Sequence, residues 1–137
     1  MPRLHFTIAS PERVVFESEI DQVSLPTKLG EITLLPHHIP LISSLSAGEV
    51  VITKDATQTS LAISGGFLEI TKDHVTLLAD TAERSDEIDE ARAEEAKQRA
   101  LSLLKEKRSD AVEYAALMAK IEKEFARLRV VRKRRKL

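Results

Sequence analysis

Every glycine and every proline in this 137-residue chain lies before residue 67. Chain reversals that need a left-handed or fixed backbone are therefore confined to the first half, and nothing after Gly66 interrupts a helix. The first half reads as short strands. Leu4, Phe6 and Ile8 alternate with His5 and Thr7, the period of a half-buried strand. Further apolar or β-branched runs follow at 13–16, 20–25, 31–35, 49–53, 60–63, 67–70 and 75–78. Turn signals separate them: Ser10-Pro11, Pro26, Leu29-Gly30, Pro36, Pro40, Ala47-Gly48 and a hairpin turn expected at Ser64-Gly65-Gly66. Many short strands at this spacing predict an antiparallel β-sandwich or barrel over residues 1–85.

From residue 86 the pattern changes to Ala, Glu, Lys, Arg and Leu, all strong helix formers. Ser85 or Asp86 is the expected cap of a first helix, whose narrow seam is Ala93, Ala96, Ala100, Leu103 and Leu104. A second helix is expected from Ser109-Asp110, with Asp110 and Glu113 at capping-box spacing. Its stripe is Tyr114, Leu117/Met118, Ile121, Phe125 and Leu128. The reversal at 106–109 is short, so residues 86–137 are read as an antiparallel αα-hairpin with helices of about 20 residues each, roughly 30 Å long. The predicted fold is β + α. Seams this thin bury little surface, which makes the hairpin easily persuaded to dock elsewhere and suggests a regulator rather than an enzyme.

Charge sharpens that reading. Residues 127–137 hold seven of the 21 Lys and Arg and no acid, while the first 126 residues carry 14 basic and 22 acidic groups. An acidic body with a basic end calls for a polyanionic partner. No aromatic residues interleave with the basic ones and no RNA- or DNA-binding motif is present, so nucleic acid is not expected. No apolar run is long enough for a membrane span, and no targeting peptide is evident. The chain has no cysteine, which removes disulfides, thiolate metal sites and cysteine nucleophiles and fits a reducing cytoplasm.

Catalytic constellations are absent. His37 and His38 are adjacent and point to opposite sides in extended chain, so no metal site is expected. Ser64 lacks a nucleophile elbow, and four glycines cannot build a phosphate cradle. Asp89 and Arg92, three apart, read first as a surface ion pair and second as a polar patch that could meet phosphates.

Taken together, certain residues resemble the epsilon subunit of the rotary F-type ATP synthase. They are Ser10-Pro11-Glu12, Phe16-Glu17, Gly30-Glu31, Leu35-Pro36, His38-Ile39-Pro40-Leu41, Ser64 to Glu69, Val75 to Asp80, Ala82-Glu83-Arg84 and Ile88 to Ala93. The combination of S-G-G-F-L-E with I-D-x-x-R-A is the most specific part. The resemblance implies a non-catalytic subunit in which residues 1–85 bind the gamma subunit and the c-ring, with Glu31 and His38 facing the ring. It implies that residues 86–137 form a regulatory arm which, extended into the alpha/beta hexamer, blocks ATP hydrolysis. Lys123, Arg127, Arg129, Arg132 and Lys133 would then meet acidic segments of the beta subunit. No cofactor is required, and ATP is implied as a regulatory ligand of Glu83, Ile88, Asp89, Arg92, Ala93, Arg99, Lys123 and Arg127. Thr33 and His37 stand where the family pattern has glycines, so a different loop conformation is expected there. The implied location is peripheral, on the cytoplasmic face of the bacterial plasma membrane. The competing reading is a stand-alone sandwich whose basic tail grips nucleic acid or anionic lipid.

Overall fold

The structure, a computed structural model, describes residues 3–37, 40–106 and 111–136, with the backbone alone for Ala111 and for residues 134–136. Among the described residues, ten strands run β1 (Leu4–Ala9), β2 (Val14–Ile20), β3 (Gln22–Thr27), β4 (Gly30–Leu34), β5 (Leu41–Leu45), β6 (Gly48–Lys54), β7 (Thr57–Ile63), β8 (Gly66–Thr71), β9 (His74–Ala79) and β10 (Ala82–Arg84). Two helices follow, α1 (Glu90–Glu106) and α2 (Ala111–Lys136), after a short 3-10 turn at Ser85–Glu87.

The strands form one sheet folded on itself into two layers. One layer is β10-β7-β6-β3-β4 and the other β5-β8-β9-β1-β2, joined where Thr27 of β3 pairs with Leu45 of β5. The opposite sides are tied by the Asp21 amide donating to the Thr53 carbonyl at 2.9 Å and by Lys54 Nζ donating to Ser18 Oγ, also at 2.9 Å. The sandwich is as expected, and all its ladders but one are antiparallel; β1 and β9 pair in parallel. Its core is aliphatic around one ring, Phe6, with Leu4, Ile8, Ile20, Leu25, Leu34, Leu61, Leu68 and Ile70 sealed from solvent.

Three local expectations change. Ser64-Gly65-Gly66 is a crossing between layers rather than a hairpin turn, since β7 pairs with β6 and β8 with β9. Gly66 has φ +147°, and a Cβ there would lie 2.0 Å from the Leu78 carbonyl oxygen, so the crossing needs a residue without one. Pro26 lies inside β3 where that strand parts from β6, and a Cβ on Gly48 would lie 2.8 Å from the proline ring. Finally, β5 was concealed in the sequence by its Pro-flanked, Ser-rich composition.

The first helix starts later than expected. Asp89, not Ser85 or Asp86, caps it, accepting from the Arg92 amide at 3.1 Å through Oδ1. Helix α2 is the longer, at 26 residues against 17. The expected start at Ser109-Asp110 lies outside the described residues.

Candidate functional site: an outer apolar row and a docked arm

Strand alternation should leave the outer face of the β5-β8-β9-β1-β2 layer polar. One row breaks that rule. Ser44 stands opposite Phe67, Phe67 opposite Leu78, Leu78 opposite Ala9, and Ala9 opposite Val14. Phe67 is 61%, Leu78 54% and Val14 60% exposed. The row's apolar members, Phe67, Leu78, Ala9 and Val14, lie on four neighbouring strands at about 4.8 Å spacing and run roughly 14 Å across the layer. A contiguous exposed apolar stripe rimmed by polar residues marks an interaction surface.

The neighbouring rows supply the rim. Glu69, Thr76, Thr7 and Glu17 form the next one, with the exposed apolar Ile42 at its β5 end, then Thr71, His74, His5 and Glu19. His5 Nδ1 lies 2.9 Å from Glu19 Oε1, its Nε2 lies 3.4 Å from Glu17 Oε2, and its ring sits 4.4 Å from that of His74. Hydrogen bonds to Glu19 first and Glu17 second hold the His5 imidazole above its ordinary pKa. No motif or turn signal in the sequence marks the apolar row. Its signal was present in Phe67-Leu68 and Leu77-Leu78, where two adjacent apolar residues break the period of two.

Of the two residues assigned to ring contact, Glu31 is exposed on β4, opposite Pro26. His38 lies outside the described residues. His37 adopts φ +67°, the left-handed conformation a glycine would take. Its amide donates to Asp73 Oδ1 at 3.2 Å, and its Nδ1 is 3.5 Å from the same oxygen. The glycine-to-histidine departure at this position is thus accommodated by a tether to the β8–β9 turn.

The helical arm lies against the β6–β7 face. Its root is pinned: Arg84 donates to the Val15 carbonyl at 3.2 Å and lies 5.8 Å over the Phe16 ring, and Arg13 pairs with Glu87 at 3.0 Å. Ile88 then enters a small apolar cluster with Ala62, Ala126, Val130 and Val131. Ala93, Ala100, Ile121 and Leu128 are buried as well. Two residues expected in the apolar stripe face solvent instead. Tyr114 is exposed, and so is Phe125, whose ring is covered by Lys97 Nζ at 4.9 Å. The stripe missed its second face because α2 packs on the sandwich through Ala126 and Val130, not only on α1.

Among the described side chains of α2, Arg127, Arg132 and Lys133 are paired within the chain. Arg127 Nη1 donates to both oxygens of Glu124, at 3.1 and 2.8 Å, and its Nε is 2.9 Å from Glu83 Oε1. Arg132 meets Glu90 and Glu94, each at 3.1 Å, and Lys133 meets Glu49 at 3.3 Å. Those contacts raise the Arg132 pKa, the Glu90 hydrogen bond foremost. Arg129 is exposed beside Phe125 and Ala126. Lys123 lines a cleft of about 280 Å³ with Arg13, Asp80 and Glu83. The acidic part of the chain thus supplies counter-charge to three residues of the basic end, Arg127, Arg132 and Lys133.

The residues implied to bind ATP divide by role. Ile88 and Ala93 are buried in packing, Asp89 caps α1 and Glu83 pairs with Arg127. Arg92 and Arg99 are exposed and two turns apart on one flank of α1, with Arg92 3.7 Å from Asp89. Among the described residues no cluster of His, Asp and Glu is arranged to hold a metal. Among the described residues no helix is long and apolar enough to cross a membrane.

Comparison with known proteins matches both parts. Residues 3–85 match the family described as ATP synthase, Delta/Epsilon chain, beta-sandwich domain, and residues 86–132 that described as ATP synthase, Delta/Epsilon chain, long alpha-helix domain. The chain is 44% identical to an ATP synthase epsilon chain of Dehalococcoides mccartyi over 136 residues, 99% of this chain and 97% of the relative. It is likewise 44% identical to that of Chloroflexus aggregans over 127 residues, covering 93% and 91% of the two chains. In fold it resembles a chain of the Euglena gracilis mitochondrial ATP synthase, from a cryo-EM structure of OSCP, F1 and c-ring. There the TM-score is 0.80 at 17% identity, covering 92% of this chain and 79% of the other. A chain of the Tetrahymena thermophila mitochondrial central stalk and c-ring gives 0.58 at 9% identity, covering 96% and 95%. The stand-alone module for nucleic acid or lipid finds no support in these likenesses.

Proposed function

The chain belongs to the delta/epsilon family of ATP synthase as a non-catalytic epsilon subunit of its central stalk, and we propose that it couples rotation at its sandwich and restrains hydrolysis with its arm. Residues 1–85 dock on the gamma subunit through the row of Phe67, Leu78, Ala9 and Val14, while the Glu31 and His38 side faces the c-ring. Residues 86–137 are the regulatory arm. Extended into the alpha/beta hexamer, Lys123, Arg127, Arg129, Arg132 and Lys133 meet acidic segments of the beta subunit, a charge-assisted contact weakened by salt. Such an assembly places the chain peripherally on the cytoplasmic face of the bacterial plasma membrane.

The observation that carries the proposal is how the arm is held. Alanines, a few aliphatic side chains and ion pairs join α2 to the sandwich, an interface that can part without exposing a large core. ATP fits as a regulatory ligand on the flank that carries Arg92 and Arg99, whose guanidinium groups suit phosphate oxygens. To recruit Arg127 as well, its phosphates would have to compete with Glu83.

The test is ATP hydrolysis by the matching alpha/beta/gamma complex, titrated with the full chain, with a chain ended after Asp89, and with Phe67→Asp. The full chain is expected to inhibit saturably, the shortened chain to bind without inhibiting, and Phe67→Asp to bind about thirtyfold more weakly, as for loss of an aromatic anchor. Equal inhibition by the full and shortened chains would remove the arm from the mechanism.

A further inference from the structure

The rim beside the apolar row is acidic. Glu69, Thr76, Thr7 and Glu17 run alongside Phe67, Leu78, Ala9 and Val14, and both glutamates are exposed. One row further out, His5 sits between Glu19 of β2 and His74 of β9. Its Nδ1 lies 2.9 Å from Glu19 Oε1 and its Nε2 lies 3.4 Å from Glu17 Oε2. Ionised carboxylates only accept hydrogen bonds, and only imidazolium donates from both ring nitrogens. The arrangement therefore suits a charged ring holding two carboxylates. We propose that His5 is a pH-dependent restraint on Glu17 at the edge of the docking face. Protonated, it keeps that carboxylate for itself. On losing its proton it releases it to a lysine or arginine of the gamma subunit, so docking tightens as pH rises.

Which carboxylate is released follows from the two distances. A neutral imidazole has one N–H, and the shorter contact, to Glu19, keeps it; Nε2 then turns a lone pair toward Glu17, which repels. Glu17 does not lose its place, because Thr7 Oγ1 donates to the same Oε2 at 3.2 Å. It stays on the row bordering Ala9 and Val14, with its charge no longer met by His5. Other charged groups near the ring have different engagements. His74, with its ring 4.4 Å away on β9, opposes a second positive charge there. Arg3, two residues earlier, pairs with Asp21 and Asp55. In the β8–β9 turn, the Asp73 carbonyl accepts from the His5 amide at 2.8 Å, its carboxylate is held by the His37 amide, and Lys72 is exposed. Because the bonds to Glu19 and then Glu17 raise the His5 pKa from 6.5, the chain alone holds Glu17 at and below that pH. It frees Glu17 as pH rises through the raised value. A partner on the row acts in the same direction, since covering the rim takes water from the imidazolium and a cation beside Glu17 repels it. The surface this face fits is an apolar ridge flanked by Lys or Arg on the side that meets Glu69 and Glu17.

This regulation rests on the docking of the apolar row to the gamma subunit proposed above. The test is the affinity of the full chain for the matching alpha/beta/gamma complex, over a pH series spanning the His5 midpoint that NMR fixes in the chain alone. The affinity is expected to rise about fivefold through that midpoint, as for one surface charge pair gained. His5→Gln should bind without such a rise, which also excludes titration of the partner as its source. Glu17→Gln should lose most of the rise and stay near the weaker level. Glu19→Gln, which lowers the His5 midpoint, should carry the rise to lower pH with it; a variant that merely packs badly would not show that shift. A flat or falling profile in the parent chain, or a rise that survives His5→Gln, overturns the proposal and leaves the docking reading standing. Absence of binding by the parent chain at every pH overturns the docking reading, and this regulation with it.

Discussion

The two ends of this chain are held together by different physics. In the sandwich, Leu, Ile, Val and one fully buried Phe fill the space between two layers whose strands are hydrogen-bonded to partners far away in sequence. In the arm, the side chains that meet the sandwich are Ala126, Val130 and Ile88, helped by ion pairs at the margin. Burial contributes about 25 cal/mol for each Å² of apolar surface, so small side chains stabilise their interface less than large ones. The lesson is that permanence and detachability are set by side-chain size along one continuous chain.

The sharpest way to break the comparison is to strike the sandwich where it has no slack. Gly66→Ala puts a Cβ 2.0 Å from the Leu78 carbonyl oxygen and 2.9 Å from the Ala79 Cα. Backbone on both sides cannot yield cheaply, so a loss of about 3 kcal/mol or more is expected. Thermal unfolding should show the sandwich and arm lost together at a lower temperature. A melting point unchanged from the parent would mean the layer crossing is looser than its geometry implies.

A second change strikes the arm at its best-buried contact. Val130→Ala empties space against Ala62 and Ile88 and is expected to cost about 2 kcal/mol. Here the loss should be local. Amide exchange ought to quicken in α2 while β1, β8 and β9 keep their protection; uniform quickening would show that arm and sandwich unfold as one unit. A third, smaller change runs the other way. Asp55 and Ala56 form the two-residue turn between β6 and β7 with φ of +50° and +65°. Glycine is the residue such a turn favours, so Ala56→Gly should stabilise the sandwich by about 0.5–1 kcal/mol in denaturant unfolding.

These contrasts also explain what was legible in the sequence. The sandwich showed itself because Leu4, Phe6 and Ile8, and their counterparts in the other strands, repeat at the pitch of a strand with one face buried. The strand at 41–45 did not, because its exposed Ile42 and its serines give no alternation. The Gly65-Gly66 pair signals a change of direction. Whether it joined neighbours or crossed layers depends on pairings that local sequence does not contain. In the arm, a helical stripe can be drawn through Phe125 or through Ala126 and Val130. Only the presence of a second packing surface decides between them. The basic residues were evident as a cluster, whereas their partners Glu49 and Glu83 lie 84 and 44 positions away from Lys133 and Arg127. The outer apolar row was the least legible feature, since it exists only across four strands.

Acidity should separate the two regions most gently, and in opposite directions. On the sandwich, His5 has a pKa raised by Glu19 and then Glu17 from its ordinary 6.5. Its favourable contribution is complete below pH 6.5 and is lost as pH rises through the raised folded value. On the arm, the Glu94 carboxyl is held below its ordinary 4.5 by hydrogen bonds from Gln98 and Lys97. Its contribution is complete above pH 4.5 and is lost as pH falls through the lowered folded value. Between those two ordinary values both regions keep their full share; alkali withdraws it from the sandwich and acid from the arm. Because both groups meet solvent, each effect is small, and site-resolved NMR titration is the measurement that reads it. Glu19→Gln should bring the His5 midpoint down toward the ordinary imidazole value, and Gln98→Ala should bring that of Glu94 up toward the ordinary carboxyl value. A His5 midpoint at or below the ordinary one in the parent chain would show that the β1–β2 contact to Glu19 is not made in solution.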